Sequence, residues 1–378
     1  MPAFSSEERQ LLNDSLIDFG STEYGFDHWR KLAREQDTEG FGRTAWAKYA
    51  ELGWLGVALP ERAGGAGGGM TELAIVMAGC GRFLLLEPLL ATLVLGATTI
   101  ERAGTPAQQA LLEAVAAGSL RLAFCHTEPD SGYARHHVRA VARKSGSGFV
   151  LDGAKGFALH AHLADTLIVS ARLGGDNGPV SLFLVPRTTE GVRLNVAPAL
   201  DGRLGATVTL SGVVLDAIAK LGDGERDMSA IIDEVLDRGV IAVCAEAVGA
   251  MAAVTQMTVD YLKTRQQFGQ PLAKFQVLQH RLVDMSVASE EARAIVHGAL
   301  QSVDDGARDA QRAVWYAKVQ TAKSARFVGG QAIQLHGGMG MTDELAIGHY
   351  YKRLCMCETQ FGDGEWYLKQ IGAQARDR

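Results

Sequence analysis

Tyr261-Leu262-Lys263-Thr264-Arg265-Gln266-Gln267-Phe268-Gly269-Gln270-Pro271-Leu272 stands between two long helical patterns, and its reading decides the fold. Apolar spacing predicts a helix over 229–264 before it and another over 270–302 after it. Two more are expected over 307–335 and 344–373, so that 226–378 reads as a four-helix bundle. Upstream, residues 120–225 change character. Short runs rich in Val, Leu and Phe recur at 120–125, 138–143, 149–151, 166–171, 180–185, 192–196 and 208–215, divided by Gly and Asp. Such spacing predicts a small antiparallel β domain, barrel or sandwich. Residues 1–119 are helical again. Ser5 and Glu8 have capping-box spacing just ahead of Leu11, Leu12, Leu16, Ile17 and Phe19. Further helices are expected over 45–53, 71–81, 85–100 and 106–117. The glycine-rich run from Gly64 to Gly69 lacks the G-K-[ST] ending of a phosphate loop and reads as a tight turn. The fold class is therefore α+β, mainly α: an N-terminal helical domain (1–119), a middle antiparallel β domain (120–225) and a C-terminal four-helix bundle (226–378).

Composition narrows the function classes. A chain of 378 residues is too long for one ordinary core. A net charge of −6 gives nucleic-acid binding no electrostatic support. The five cysteines are odd in number and scattered, which fits reduced thiols better than a disulfide framework. Cys355 and Cys357 form a C-x-C pair with no second pair to complete a zinc site. The start, Met-Pro-Ala-Phe-Ser-Ser-Glu-Glu, has neither the basic nor the apolar part of a leader. The greasiest segment, 83–100, is broken by Glu87 and Pro88, too short a run for the roughly 20 residues that span a bilayer. No membrane association is expected, and a cytoplasmic location is the default.

Two segments of the last zone are specific. The quoted stretch, with Phe275-Gln276 and Arg281-Leu282-Val283-Asp284-Met285 after it, resembles the Y-x-x-x-R-x-x-F-G…Q…(A/V)-D-M signature of acyl-CoA dehydrogenases. Gln334-Leu335-His336-Gly337-Gly338-Met339-Gly340 resembles the Q-x-x-G-G-x-G motif of that family. Glu51-Leu52-Gly53-Trp54-Leu55-Gly56 with Pro60-Glu61, Thr127-Glu128-Pro129 and Asp152-Gly153-Ala154-Lys155 are further likenesses in family order. The segments 244–251, 258–265 and 348–353 look like the small subunit of pimeloyl-CoA dehydrogenase, from a branch of paired unlike subunits. The resemblance implies the same order of domains, FAD as cofactor, an acyl-CoA substrate and an electron-transfer flavoprotein as acceptor. It also implies a homologous larger subunit in an αβ or α2β2 complex, or else a homo-oligomer.

The residue types suit that chemistry. Arg265 offers a planar fork of donors for a pyrophosphate. Phe268 offers an aromatic surface. Gly337 and Gly338 allow backbone to approach a ligand closely, with Gln276 and Gln334 as hydrogen-bond partners. Thr127 keeps a hydroxyl for a flavin or substrate. The α-carbon of a thioester gives up a proton, so a carboxylate base is needed. The family carries it in an aromatic-Glu-Gly-Thr segment. The matching stretch here is Gln360-Phe361-Gly362-Asp363, with Gly362 at the base position. Glu246, alone among apolar or small residues from 239 to 254, is the expected base, with Asp363 in reserve. A structural partnership with a neighbouring helix or subunit is the other role open to Glu246. In the middle zone, Asp130-Ser131-Gly132-Tyr133 replaces the family's G-x-G-S-D, and Phe157-Ala158-Leu159 replaces its W-I-T. Leu159 cannot hydrogen-bond to a flavin ring. His126, His136, His137, His160 and His162 have no recognised ligand spacing, and no metal is expected. A non-catalytic subunit completing the FAD site of a partner is the main alternative; an acyl-CoA oxidase or flavin monooxygenase is a second.

Overall fold

The computed structural model describes residues 4–34, 41–175 and 177–376. Ser5 caps α1 (Ser6–Thr22) through the expected reciprocal box: its hydroxyl accepts from the Glu8 amide at 3.2 Å, and the Glu8 carboxylate accepts from the Ser5 amide at 2.7 Å. There follow α2 (Phe26–Arg34), α3 (Arg43–Glu51) and α4 (Met70–Phe83). The helix expected over 85–100 is π-helical over Leu90–Ala97 and becomes α5 (Thr98–Ala103). It starts only after Pro88, and the buried Glu87 accepts from the Gly42 amide and the Tyr49 hydroxyl, both at 3.0 Å. Two short helices, α6 (Pro106–Gln109) and α7 (Leu111–Ala116), close the first zone.

All seven expected strands form: β1 (Leu122–Cys125), β2 (Val141–Ser145), β3 (Gly148–Leu159), β4 (Thr166–Leu173), β5 (Val180–Pro186), β6 (Val192–Pro198) and β7 (Leu204–Leu215). They make one sheet in the order β1-β4-β2-β3-β7-β6, with β5 also on β4. Most pairings are antiparallel. β4 departs from the expectation, running parallel to β1 (Leu122 opposite Thr166) and to β2 (Val141 opposite Arg172). Its residues Leu167, Val169 and Ala171 are fully buried with Leu151, Phe183, Val208 and Val213 in the core of the sheet.

The helical zone consists of α8 (Ser229–Thr264), α9 (Gln276–Asp304), α10 (Ala310–His336), α11 (Ala346–Thr359) and α12 (Gly364–Arg376). Two departures matter for function. The helix expected from 270 starts later, because Gln266–Gln267 (β8) pairs with Gln270–Pro271 (β9) in a two-residue hairpin. The helix expected over 344–373 is broken at 360–363, where Phe361 and Gly362 have φ of +64° and +118°. Among the described residues α8 is apolar and long enough to cross a membrane, and its most apolar window is 72% buried inside the protein, as in a core helix.

Contacts divide the chain into two units. Leu32–Gly68 and Leu86–Gly239 form one, which contains the sheet. The described residues up to Lys31, Gly69–Leu85 and the described residues from Val240 form the other, which is helical. The N-terminal helices are thus shared between the two units. Within the helical unit α4 crosses α8 backbone to backbone. A Cβ on Gly81 would lie 1.8 Å from the Glu246 carbonyl, and one on Gly249 1.9 Å from the Ala78 carbonyl.

Candidate functional site

The Arg265–Leu272 stretch folds as its turn chemistry requires. Phe268 and Gly269 sit at the hairpin tip with φ of +55° and +77°, the pair of positive angles of a tight primed turn. Glycine takes such an angle freely; phenylalanine does not. The result is a ring held 88% exposed, edge-on to Phe275 at 6.0 Å. Arg265, also exposed, anchors the base of the hairpin through its backbone: its amide donates to Tyr261 at 2.8 Å and its carbonyl accepts from Leu272 at 2.9 Å.

The glycine bend lies at the same end of the helices. The Tyr261 ring stacks on His336 at 4.3 Å, one turn before Arg265 and one residue before Gly337. His336 is itself buried, with Nδ1 2.8 Å from the Ala332 carbonyl, and burial lowers its pKa. Arg281 donates to Gln331 at 3.4 Å, a contact that marks the register of antiparallel α9 and α10. That register brings Gln276, at the start of α9, to the end of α10 that carries Gln334 and the bend. Gln276, Gln334, Gly337 and Gly338 are all exposed. Gly337 has φ +59° and ψ −140°, a conformation open in practice only to glycine. Gly338 lies outside the left-handed region, and among the described residues beyond its own chain neighbours no atom comes within 4 Å of where its Cβ would be. Among the described residues nothing requires a glycine there.

The two candidate bases are elsewhere, and both are committed. Glu246 is completely buried where α4, α8 and α11 meet. The Arg353 guanidinium, 3% exposed, donates to its two oxygens at 2.8 and 2.6 Å, and the Cys80 thiol lies 3.6 Å from one of them. The expected base is thus the inner half of a two-pronged ion pair. Asp363 accepts from the Trp366 amide at 2.8 Å, as a cap on the first turn of α12. Gly362 is closed to any side chain: a Cβ would lie 2.8 Å from the Tyr367 ring and 3.1 Å from that of Trp366, at φ +118°. The fully buried Lys318 pins this turn, donating to the carbonyls of Cys357 at 2.5 Å and Gln360 at 2.9 Å. Burial lowers the Lys318 pKa. The Tyr367 hydroxyl adds a bond to the Phe361 carbonyl at 2.7 Å.

In the sheet unit Thr127 is exposed just past β1, between two anchored neighbours. Glu128 and Lys155 form a buried ion pair at 2.7 Å. Burial alone would raise the Glu128 pKa, but Lys155 and the amides of Ala140 and Arg139 outweigh it and hold it below the ordinary value. His126 sits between the Ser170 hydroxyl at 2.9 Å and the Arg135 carbonyl at 2.7 Å; burial, then the Lys155 charge, push its pKa down to about 4. The ring of Phe157 lies over Gly205, whose Cβ would be 2.4 Å from it. His136 and His137 pair with Asp233 and Asp130 at 2.9 and 3.1 Å. Glu128, Asp130 and His137 bring ligand-type atoms within 4.8 Å of one another, yet Glu128 already holds Lys155 and Asp130 holds Arg139. The glycine-rich turn borders a cleft of about 420 Å³ that exposes Glu61 and Glu101 beside Arg62, a poor lining for phosphate.

Arg353, Lys318 and Lys155 were not singled out as site residues by the sequence. The signal available was a charged residue inside a pattern that buries it, and for Lys155 and Arg353 a place in a family-like segment.

Three family models match the chain in order: "Acyl-CoA dehydrogenase, N-terminal domain" over 6–119, "middle domain" over 123–216 and "C-terminal domain" over 229–375. The probable acyl-CoA dehydrogenase YngJ of Bacillus subtilis is 30% identical over 370 residues, covering 95% of this chain and 96% of that one. A solved variant of the Tcur3481-Tcur3483 steroid ACAD superposes with a TM-score of 0.88 at 29% identity, over 98% of both chains. The ChsE4-ChsE5 complex from Mycobacterium tuberculosis gives 0.89 at 24% identity, over all of both chains, a likeness of fold.

Proposed function

The chain belongs to the acyl-CoA dehydrogenase family, and on that premise we propose that it works as one subunit of a two-chain, FAD-dependent acyl-CoA dehydrogenase. The observation that carries this reading is the shared end of α8, α9 and α10. A guanidinium, a phenylalanine ring forced into the open and a bare stretch of backbone at Gly338 all lie at that end. A ring 88% exposed on a left-handed backbone is unfavourable for the isolated chain and makes sense against an outside surface.

These residues fit the pyrophosphate and adenosine of FAD. Arg265 would neutralise phosphate, Gly337 and Gly338 would let backbone N–H groups approach it, Phe268 would pack on the adenosine side, and Gln276 and Gln334 would hydrogen-bond. Thr127, on the sheet unit, would separately offer its hydroxyl to a flavin, while the grip at the helix ends would reach the FAD of a neighbouring subunit. FAD, when bound, supplies the hydride acceptor for removing two hydrogens from an acyl-CoA thioester. The end of the helices that carries the grip is exposed, which supports a site completed by a second, homologous subunit. The likeness to the pimeloyl-CoA dehydrogenase small subunit makes a larger homologue the expected partner, and an electron-transfer flavoprotein the expected acceptor.

On the base, a specific observation favours the second reading. Glu246 is held by Arg353, Asp363 caps a helix, and Gly362 has no room for a carboxylate. We therefore assign Glu246 a structural role, and the partner subunit supplies the proton acceptor. The test is to purify the chain alone and after co-expression with its homologous partner, then add acyl-CoA without oxygen. Flavin in the complex that bleaches on addition is the expected result. A complex without flavin, or one whose flavin no acyl-CoA reduces, would refute the proposal.

A further inference from the structure

We infer that Lys155 is a positioning residue for Thr127, an inference that rests on the reading of Thr127 as a flavin contact. Lys155 is completely buried on β3. Its ammonium has three acceptors: the Glu128 carboxylate at 2.7 Å, the Ser170 hydroxyl at 3.1 Å and the His126 carbonyl at 3.4 Å. Two of these belong to the residues on either side of Thr127. The third, Ser170 on β4, also meets the His126 ring at 2.9 Å. Glu128 passes the restraint on, accepting from the amides of Arg139 and Ala140 at 2.8 and 3.0 Å, and the Gly156 amide, next to Lys155, donates to the Thr127 carbonyl at 2.7 Å. Thr127 is thus an exposed residue whose two neighbours are held by one ammonium, His126 through its carbonyl and Glu128 through its carboxylate. Burying a charge for stability alone gains little, since a well-packed apolar pair does as well. A hydroxyl that must meet a ligand within a few tenths of an ångström gains from rigid support.

The experiment is a double-mutant cycle on the full-length chain in its complex, read by FAD dissociation constant and by the position of the bound flavin's visible band. Thermal unfolding is recorded beside them. Thr127→Ala weakens FAD roughly five- to tenfold and shifts the band, as loss of about one hydrogen bond does. Glu128→Gln with Lys155→Met removes both buried charges together, so no lone charge is left behind, and reproduces that loss. Adding Thr127→Ala to this pair then costs nothing further, because the hydroxyl is no longer placed. A full, additive Thr127→Ala effect in the double variant would overturn the positioning role while leaving the flavin contact intact. No effect of Thr127→Ala in the native chain would overturn the contact itself, and the inference with it. Should the double variant fail to fold, Ser170→Ala takes its place; it removes one acceptor of Lys155 and must shrink the Thr127→Ala effect, and an unchanged effect counts against the proposal.

Discussion

Replacing Glu246 by Gln separates a structural carboxylate from a catalytic one. The ion pair is closed to solvent, with Glu246 fully buried and the Arg353 side chain 3% exposed, and it is bonded through two contacts of 2.8 and 2.6 Å. Glutamine keeps the shape but removes the charge that compensates the guanidinium. Breaking one partner of such a pair costs about 3–5 kcal/mol, or roughly two to four powers of ten in the folding equilibrium. Urea unfolding of the variant should therefore show a large loss. Turnover, expressed per folded complex, should fall less than tenfold. The pair Glu246→Leu with Arg353→Met should recover most of the stability, since no lone charge is left. If Glu246 were the base, the loss of stability would remain, because the ion pair is broken either way, but turnover per folded complex would also fall by about 10²–10⁴, the usual contribution of general base catalysis. A hundredfold or greater loss of turnover per folded complex would refute the structural assignment.

His126 makes stability depend on pH. Its folded pKa of about 4 lies below the ordinary 6.5, so as pH falls between those values the unfolded chain takes up a proton that the folded chain refuses. Stability should fall across that window by about 3 kcal/mol, and the difference between the native chain and His126→Asn in unfolding midpoints at pH 7 and pH 4.5 should show it. Gly362→Glu should not create a base. With Tyr367 2.8 Å from the new Cβ and φ at +118°, unfolding should show a loss of about 1–3 kcal/mol with no gain in turnover. Gly338→Ala should leave thermal unfolding within about 0.5 kcal/mol of the native chain yet weaken FAD severalfold in a titration, because the open space belongs to the ligand.

Much of the fold was legible because it rests on local pattern. The Ser5–Glu8 box, the seven apolar strand runs and the helices around the Tyr261–Leu272 stretch all follow from spacing. Apart from the local hairpin at 266–271, the departures come from interactions that are not local. At the break at 360–363 Lys318 caps carbonyls 39 and 42 residues away, a partnership that the apolar pattern of the segment does not encode. The parallel pairing of β4 with β1 and β2 depends on sheet order, which alternation does not encode. At the site, Arg265 and the Gly337–Gly338 bend were readable as motifs. The partner of Glu246 was not, since Arg353 lies 107 residues on, in a segment (348–353) that carried a family likeness and no pairing signal. A lone carboxylate in an apolar helix signals a buried pair and a base alike, and only the geometry separates the two.

The most direct test of the central claim is the FAD dissociation constant of the assembled complex with and without Arg265→Gln. Because Arg265 is exposed and its backbone alone anchors the hairpin, the substitution should leave assembly and unfolding unchanged. A charge-assisted contact to phosphate contributes about 1.5–3 kcal/mol, so binding should weaken by roughly ten- to a hundredfold. An unchanged dissociation constant in an intact complex would mean that this end of the helices does not hold the dinucleotide.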